Sequence, residues 1–316
     1  MKLSIVIPMY NAGPFIRKCL DSCLVQDIGK DEYEIIVVND GSTDDGPAIV
    51  EELGIKLVSQ PNSGPSVARN KGLSMAGGDY VWFVDADDSL EENCVGGMLA
   101  EAQGADILAF GMRNILPDGK VESIFSYPSS GRMTGPDFFN VQNEKLKLCS
   151  PLYLFRRDLL SSNGLSYVTC LYHEDSEFIP KAVYLAEEVV VSRTVPYIRL
   201  VHPGSIMNTM NPRRPMDLVR VIRLLKQFKI EKAVTPAQEK AFNSLLSNLA
   251  NYACKLSDLT SAEDRKEFAE SIASCSSWLP QVLRGSMQLK YRAEGFLLPL
   301  FGGDLPAVHR FLMKFK

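Results

Sequence analysis

The first hundred residues alternate between two patterns of apolar positions. Short apolar runs, each with the length of a buried strand, occur at residues 3–7, 34–39, 56–60 and 80–85. The segments between them carry the apolar spacing of amphipathic helices and predict helices at residues 14–26, 43–53 and 63–76. Strands that alternate with helices are typical of a mainly parallel α/β sheet. Ligands bind such sheets at the carboxyl ends of the strands, so the residues directly after each strand are the first candidates for function.

The pattern changes along the rest of the chain. The middle part is mixed, with strands predicted at residues 107–110, 189–192 and 197–201 and a helix predicted at residues 175–183. From about residue 212 the apolar spacing is almost wholly helical. We therefore predict an α/β domain over residues 1–210 and a mainly helical region over residues 211–316.

The composition narrows the class of protein. With 316 residues, of which 46% are hydrophobic, the chain has the make-up of an ordinary globular protein. No apolar run approaches the ~20 residues that span a bilayer, and the apolar stretch in residues 1–8 is too short for a signal peptide. We therefore expect a cytoplasmic protein. The net charge of −4 gives no reason to expect a nucleic-acid partner.

The seven cysteines show neither CxxC pairs nor the histidine spacing of a zinc site. Cys19 and Cys23 lie four residues apart on a predicted helix and therefore share one of its faces. Such a pair fits a metal site or core packing, and we favour core packing.

Two carboxylates follow the last strand of the first hundred residues. Asp85 and Asp87 alternate along an extended segment with only Ala86 between them, so both can approach a single divalent cation. Oxygen ligands of this kind suit Mg²⁺ or Mn²⁺. The alternative is a solvated acidic turn that caps the following helix, and Asp88 fits this alternative.

Three further polar segments follow predicted strands, at residues 8–11 (PMYN), 39–44 (NDGSTD) and 62–72 (NSGPSVARNKG). Together with residues 85–88 (DADD), and in this order, they resemble the motifs of family 2 glycosyltransferases of the bacterial cell-surface polysaccharide type. Each motif alone is weak, whereas their joint occurrence is specific.

The resemblance, which covers roughly residues 1–210, implies both a fold and an activity. The fold is GT-A, a Rossmann-like mixed α/β sheet flanked by helices, followed here by a C-terminal helical region. Residues 1–100 would form the nucleotide-binding half, and residues 101–210 the acceptor and catalytic half. The activity is the metal-dependent, inverting transfer of a sugar from a nucleotide diphosphate donor to an acceptor hydroxyl, with a UDP-sugar favoured as donor.

By resemblance, the donor is held by residues at or beyond the strand ends: Pro8, Tyr10, Asn11, Asp40, Arg69, Asp85, Ala86 and His202. Asp40 would accept the N3–H of uracil, and Arg69 would lie near the base or the diphosphate. Each has a structural alternative, which is a plain turn with a helix cap for Asp40 and a surface salt bridge for Arg69.

The resemblance also assigns a metal site for Mn²⁺ or Mg²⁺, with Asp87, Asp85 and His202 as ligands. His202 lies in residues 197–206 (YIRLVHPGSI), which resemble the last active-site strand and loop of the family. We expect it to contact the diphosphate or to act as the third metal ligand, with Arg199 as the second choice. A lone histidine is more often structural, which is the alternative here.

One carboxylate suffices as the base of an inverting transfer, because a metal-held nucleotide diphosphate leaves without needing a proton. Residues 173–178 (HEDSEF) resemble the family's acidic motif, which assigns Asp175 as the general base. Glu174 is the assisting residue and the second choice. The alternative is an ordinary helix start, where negative charge is favourable.

Two stretches of the C-terminal third are strongly basic. Residues 212–232 hold seven Lys or Arg and two acidic residues, a net charge of +5, and residues 284–316 hold six and two, a net charge of +4. Such stretches either lie on an anionic membrane surface, which suits a lipid-linked acceptor and a place at the inner face of the cytoplasmic membrane, or pack against the catalytic domain or a second subunit in a homodimer. We favour packing for residues 212–232 and leave both alternatives open for residues 284–316.

The expected function is therefore transfer of a sugar from a UDP-sugar to a saccharide or lipid-linked saccharide in surface polysaccharide biosynthesis. A non-catalytic sugar-nucleotide-binding protein of the same fold is the alternative. A nicotinamide-dependent oxidoreductase is excluded, because residues 8–13 (PMYNAG) hold one glycine where the GxGxxG motif needs three.

Overall fold

The computed structural model describes residues 1–203, 211–233, 235–258 and 260–313. Three residues of the predicted active-site loop, Gly204, Ser205 and Ile206, lie outside the described residues, as does the end of the basic C-terminal stretch.

The strands and helices predicted within residues 1–201 are present, and the structure adds others between them. The strands are β1 (Leu3–Met9), β2 (Tyr33–Asn39), β3 (Lys56–Ser59), β4 (Tyr80–Phe83), β5 (Ser89–Leu90), β6 (Ile107–Ala109), β7 (Met112–Ile115), β8 (Val121–Phe125), β9 (Gly131–Met133), β10 (Tyr153–Arg156), β11 (Val189–Val191) and β12 (Tyr197–Leu200). The helices are α1 (Gly13–Leu24), α2 (Gly46–Glu52), α3 (Pro65–Met75), α4 (Val95–Ala102), α5 (Gly135–Gln142), α6 (Arg157–Ser162), α7 (Glu174–Leu185), α8 (Arg213–Lys232), α9 (Pro236–Ser257), α10 (Ala262–Ala273), α11 (Leu279–Arg284), α12 (Leu289–Leu297) and α13 (Leu305–Met313).

Eight strands form the main sheet in the order β3-β2-β1-β4-β10-β6-β11-β9. The first four are parallel, β10 is antiparallel to both β4 and β6, and β11 is parallel to β6 but antiparallel to β9. Met9 is in register with Asn39, and Asn39 with Ser59, so β1, β2 and β3 end level with one another. This edge of the sheet carries the polar segments singled out in the sequence.

A second sheet of four strands has the order β5-β12-β7-β8. β5 directly follows the acidic residues 85–88, and it pairs antiparallel with β12 through Leu90 and Tyr197. β12 in turn is parallel to β7, which pairs antiparallel with β8. The small sheet therefore brings the strand that leads to His202 alongside the end of β4.

Helix α3 lies close to the main sheet because it carries a glycine on its buried face. A Cβ added to Gly72 would lie 2.2 Å from Val6 Cγ1 and 3.4 Å from Val38 Cγ2. Ser66 and Ala68 on the same helix are also buried and small. This close approach carries Arg69 toward the carboxyl edge of the sheet.

The described residues group into two compact units. The first holds residues 1–135, 147–170 and 182–206, and the second holds residues 136–146, 171–181 and 207–316. The division predicted from the sequence, after residue 210, assigned residues 136–146 and 171–181 to the α/β domain instead.

Long-range contacts explain why these two short segments join the helical unit. The backbone N–H of Tyr172 donates to Asp217 Oδ2 at 2.9 Å, and Asn211 Nδ2 donates to the Tyr172 hydroxyl at 2.8 Å. Phe139 of α5 packs on Phe242 of α9 with ring centroids 4.4 Å apart. The pattern of apolar residues along the chain does not predict these long-range contacts.

Within the helical unit, α8 packs on α9 and buries most of its apolar side chains, although Ile230 is 60% exposed. Leu218, Val221, Ile222 and Leu225 are all fully buried. Residues 212–232 are therefore packed, as favoured from the sequence, but on a helix of their own unit, whereas the expected partner was the catalytic domain or a second subunit. Helix α9 begins with a capping box in which Thr235 and Gln238 satisfy each other's backbone N–H groups.

Two further expectations can be compared with the described residues. Within this part of the chain every helix is too short or too polar to cross a lipid bilayer. Cys19 and Cys23 are unbridged and fully buried on α1, and a hydrogen bond between them together with burial raises the pKa of Cys19. Both thiols behave as core side chains, as favoured from the sequence.

The close approach of α3 predicts the effect of a single methyl group. Gly72→Ala should lower the stability of the protein by about 1–3 kcal/mol, because the new Cβ overlaps Val6. Gly97→Ala is the control, since a Cβ there meets nothing within 4 Å in α4, and it should stabilise by about 0.5–1 kcal/mol. Urea unfolding measures both, and equal midpoints for the two variants would contradict the packing described.

Candidate active site

Residues 85–88, which we call the DADD turn, leave the end of β4 at the carboxyl edge of the main sheet. Val84 still donates its N–H to Val6 of β1 at 3.0 Å, and Asp88 N–H donates back to Asp85 O at 3.1 Å. Ala86 is buried beneath this turn. The two hydrogen bonds hold the three carboxylates within a single turn of chain.

Arg69 is held beside the first of these carboxylates. Its Nη2 donates to Asp85 Oδ1 at 2.8 Å, and its side chain is only 7% exposed. The guanidinium carbon also lies 5.4 Å from the centroid of the Tyr167 ring, within cation–π range. The salt bridge considered as an alternative is thus formed, with a buried Arg69 side chain and an Asp85 side chain that is 35% exposed. A contact between Arg69 and the donor stays a prediction.

Tyr167 is a residue that the sequence motifs did not indicate. Asn70 donates its Nδ2 to Tyr167 O and accepts the Tyr167 N–H through Oδ1, both at 2.8 Å. The Tyr167 hydroxyl donates to Ser150 Oγ at 2.7 Å in the protein interior. Asn70 thus fixes the backbone of the residue on which the Arg69 guanidinium rests.

Asp87 and His202 come together although 115 residues separate them in the chain. Asp87 Oδ2 lies 2.9 Å from His202 Nε2, and the imidazole packs on the Phe15 ring of α1 with centroids 4.6 Å apart. His202 is therefore placed at the DADD turn, and its contact with a metal or a diphosphate stays a prediction.

The donor atoms at this edge suit a hard divalent cation only in part. Asp87 and His202 form a pair, whereas the Asp85 Oδ1 atom is engaged by Arg69. Among the described residues no three Asp, Glu, His or Cys side chains are grouped closely enough to hold a metal on their own. A Mn²⁺ or Mg²⁺ ion with one or two protein ligands takes its remaining ligands from water or from phosphate oxygens. The pair fits a cation that binds together with a diphosphate.

Asp88 does not cap a helix, so the alternative considered for it is wrong. It is buried, it accepts the Tyr197 hydroxyl at 2.5 Å through Oδ2, and it accepts the Leu200 N–H at 2.9 Å through Oδ1. Burial, with the nearby charges of Asp85 and Asp87, raises the pKa of Asp88 well above its ordinary value, while the two hydrogen bonds oppose that shift. Asp88 thus ties the DADD turn to β12.

The loops after β1 and β2 are joined to each other by side chains. Asn11, with a positive φ of 48°, accepts the Thr43 N–H through Oδ1 at 2.8 Å and donates its own N–H to Ser42 Oγ at 3.0 Å. Pro8 is half-buried at the end of β1, and the Tyr10 side chain beside Asn11 is 52% exposed. These loops leave an aromatic ring exposed to solvent at the strand ends.

The Asp40 side chain is buried and forms hydrogen bonds within the protein. It is 3% exposed, and its carboxylate accepts from Gln60 Nε2 and from the backbone N–H groups of Ser63 and Gly64, at 2.8 to 2.9 Å. Asp40 therefore holds the loop between β3 and α3 in place. Its contact with a nucleobase stays a prediction.

The geometry of this edge can be compared with known proteins. The family model for glycosyl transferase family 2 matches residues 4–162, which include all four strand-end segments. The chain belongs to glycosyl transferase family 2. The family predicted from the sequence is confirmed.

Two curated bacterial glycosyltransferases illustrate the similarity. The chain is 29% identical to the uncharacterized glycosyltransferase YibD of Escherichia coli over 72% of its length and 70% of that protein. It is 31% identical to the poly(ribitol-phosphate) beta-N-acetylglucosaminyltransferase TarS of Staphylococcus aureus over 71% of its length. The aligned part spans only 40% of TarS.

A solved structure confirms the fold. The crystal structure of residues 1–349 of S. aureus TarS in complex with UDP-GlcNAc matches with a TM-score of 0.84 at 24% identity, over 100% of this chain and 93% of that one. The GT-A fold with a C-terminal helical region is therefore confirmed for this glycosyltransferase.

The predicted base lies at the start of α7, which belongs to the helical unit up to residue 181. Glu174 and Asp175 are half-buried in the first turn of this helix. His173 precedes them with a positive φ of 62° and accepts the Ser176 N–H at 2.9 Å, which closes the turn. The position of both carboxylates at a helix N-terminus agrees with the motif, and their role stays a prediction.

His173 is held uncharged by its surroundings. Its Nε2 atom is buried and lacks a hydrogen-bond partner among the described residues. Burial and the positive charge of Arg214 lower the pKa of His173 from 6.5 to about 4. A neutral imidazole therefore precedes the two acidic residues at neutral pH.

The hydrogen bond between Tyr197 and Asp88 allows a test of the metal binding that we expect for this glycosyltransferase. Tyr197→Phe removes the hydroxyl that Asp88 accepts, which should cost about 1–3 kcal/mol of stability. It should also weaken Mn²⁺ binding by roughly 10–100-fold, because β12 then no longer fixes the approach to His202. Electron paramagnetic resonance of Mn²⁺ with UDP present measures the second effect.

Tyr153→Phe is the matched control for this variant. It removes another hydrogen bond from a buried tyrosine, the one donated to Lys147 O at 2.7 Å, in which no residue of the DADD turn takes part. It should lower stability by a similar amount and leave Mn²⁺ affinity unchanged. Equal Mn²⁺ affinities in the two variants would show that Tyr197 does not position the site.

The lowered pKa of His173 predicts a loss of stability in acid. Above its unfolded pKa of 6.5 the histidine is neutral in both states, so nothing is lost. As the pH falls from 6.5 toward 4, the unfolded chain takes up a proton that the folded chain refuses, which costs about 3 kcal/mol in total. His173→Asn, which tolerates the positive φ, should remove this part of the pH dependence in urea unfolding at pH 7.5, 5.5 and 4.5. Parallel pH profiles for wild type and variant would contradict the prediction.

Proposed function

We propose that this glycosyltransferase transfers a sugar from a UDP-sugar, with inversion and with a divalent cation, to a hydroxyl of a saccharide or lipid-linked saccharide in surface polysaccharide biosynthesis. The observation that carries the proposal is the pair formed by Asp87 and His202, 2.9 Å apart beside the Asp85–Arg69 ion pair at the carboxyl ends of parallel strands. Opposite charges close together at such an edge suit a diphosphate held with a cation.

The choice of UDP is supported by the relatives and by the loops. Solved structures of TarS contain UDP-GlcNAc or UDP. In this chain the exposed Tyr10 ring offers a surface for a base to stack on, beside Pro8 and Asn11. Asp40 keeps further lone pairs on its carboxylate beyond the three it uses in the loop, and we propose that one of them accepts the N3–H of uracil.

Asp87 and His202 would hold the Mn²⁺ or Mg²⁺ ion, which when bound neutralises the charge that collects on the departing diphosphate. Asp85, predicted as a metal ligand and as a contact to the donor, is oriented by Arg69 through Oδ1. Ala86 leaves room for the donor between the two carboxylates. Arg69 supplies a fixed positive charge near the diphosphate, and its shielding from water strengthens that contact.

The transfer itself needs one proton acceptor. Asp175 takes the proton from the acceptor hydroxyl, the hydroxyl oxygen forms a bond to the anomeric carbon, and the bond from that carbon to the diphosphate oxygen breaks. The electron pair of the broken bond leaves with UDP, so the sugar is inverted in a single displacement. Glu174 assists, and His173, which is neutral at pH 7, adds no competing positive charge beside the base.

The acceptor class is proposed from the names of the chain's relatives. TarS and the poly(ribitol-phosphate) beta-glucosyltransferase of Bacillus spizizenii are named for transfer to poly(ribitol-phosphate). A homodimer stays a prediction from the basic C-terminal sequence.

The proposal is tested by calorimetric titration with UDP, GDP and dTDP, each with Mn²⁺ and again with EDTA. UDP should bind best, and EDTA should weaken its binding markedly. Asp87→Ala should weaken metal-dependent UDP binding at least about tenfold. Asp175→Asn should abolish transfer, tested with a screen of UDP-sugars, while UDP binding stays nearly intact.

Asp21→Asn is the control for both variants, since this carboxylate is exposed on α1. It should change neither binding nor transfer. Equal loss of UDP affinity in the Asp87 and Asp175 variants would refute the assigned roles. UDP binding without transfer to any acceptor would favour the non-catalytic sugar-nucleotide-binding protein instead.

A further inference from the structure

The helical unit leaves several large apolar side chains in water along one short stretch. Leu289 and Phe296 of α12 are 77% and 65% exposed, and Leu300, in the 3₁₀ turn Leu298–Phe301 that follows, is 79% exposed. Leu289 and Phe296 are seven residues apart, which is two helical turns, so they share a face of α12. Met287, just before the helix, is 42% exposed. We call residues 287–300 the α12 face.

The charges around these apolar side chains all have the same sign. Between residues 279 and 303 the exposed charged side chains are Arg284, Lys290 and Arg292. Glu294, which is the acidic residue of this stretch, is 3% exposed and accepts Asn251 Nδ2 at 2.7 Å. The inward turn of Glu294 leaves an outer surface of apolar and cationic groups.

The other helices of this unit present different surfaces. Helix α8 is equally basic in sequence, but most of its leucine and isoleucine side chains are buried, and its exposed Ile230 is followed by the exposed acidic residue Glu231. Helix α10 exposes Glu263, Glu267 and Glu270. Among α8, α10 and α12, it is α12 that combines exposed apolar side chains with exposed charges that are all positive.

We propose that the α12 face binds the surface of an anionic lipid membrane. The side chains of Leu289, Phe296 and Leu300 enter the boundary between headgroups and acyl chains, while Arg284 and Lys290 contact anionic headgroups. Helix α12 has nine residues, far fewer than the ~20 needed to cross a bilayer, so it lies on the surface. Complementary charge selects an anionic membrane over a neutral one.

Membrane contact would deepen the proposed function, because an enzyme held at the membrane meets a lipid-linked acceptor by diffusion in two dimensions. Only this advantage, the encounter with a lipid-linked acceptor, rests on the proposed function; membrane binding itself does not. Vesicle binding is measured without nucleotide or acceptor, so its failure is distinguishable from failure of the proposed transfer.

The test is co-sedimentation of the full chain with vesicles of phosphatidylcholine alone and with vesicles of phosphatidylcholine and phosphatidylglycerol at a ratio of about 7:3, a mixture chosen for its negative surface charge. Wild type should bind the anionic vesicles and stay in solution with the neutral ones. Phe296→Ser with Leu300→Ser should weaken binding at least about tenfold, because two large apolar side chains no longer leave water. Arg284→Gln with Lys290→Gln should weaken it by about fivefold for each charge removed.

Two exposed positions elsewhere serve as matched controls. Ile124 on β8 is 63% exposed, close to the value of Phe296, and Lys18 on α1 is exposed like Lys290. Ile124→Ser and Lys18→Gln should bind vesicles as wild type does. Thermal midpoints of all variants should agree within a few degrees, because every substituted side chain is at the surface.

Three outcomes would overturn the inference. Wild type would remain in solution with anionic vesicles, or Ile124→Ser would weaken binding as much as the double serine variant. In the third, light scattering would show a dimer that the double serine variant alone dissociates, with vesicle binding unchanged. That result would make the α12 face an interface between two copies of this chain.

Discussion

The burial of the Asp88 carboxylate is the constraint on which the donor edge depends. A carboxylate removed from water is unfavourable unless donors replace the lost hydration. Here both donors come from β12, through the Tyr197 hydroxyl and the Leu200 N–H. β12 is therefore held against the DADD turn, and His202, two residues beyond the end of that strand, is brought to Asp87. The short antiparallel pairing of β5 with β12 fixes the same turn from its other end.

The parallel half of the main sheet could be predicted from the sequence because its signal is local. Strands β1, β2 and β4 are runs of mostly buried residues, and helix α1 repeats its buried side chains every three or four positions. The antiparallel additions lack such a signal. β8 has an exposed residue at four of its five positions, and β10 reaches its place between β4 and β6 through pairings with strands far away in the sequence.

The candidate site shows the same difference. Asp85, Asp87 and Arg69 lie in motifs that are continuous in sequence, and the structure brings them to one edge with His202. Tyr167 meets this edge through Asn70, 97 residues away, and lies in a stretch for which no element was predicted. Tyr197 begins a predicted strand, but its bond to Asp88 spans 109 residues and has no signal in the local sequence. The net charge of residues 284–316 likewise did not show whether this stretch is packed or exposed. The sign of its exposed charges depends on the burial of Glu294, and Glu294 is buried because it pairs with Asn251, a residue of another helix in the helical unit.

The electrostatics of the DADD turn explain why a cation belongs in the proposed reaction. Three carboxylates within four positions would repel a diphosphate, which itself carries at least two negative charges. Arg69 balances Asp85, and burial favours the neutral form of Asp88 by raising its pKa. Asp87 remains, with His202 Nε2 as its neighbour at 2.9 Å. The divalent ion that we propose at Asp87 would reverse the sign of the local charge, so that attraction would replace repulsion as the diphosphate approaches. The same arrangement predicts that the cation and the nucleotide bind cooperatively, since each supplies the opposite charge that the other lacks.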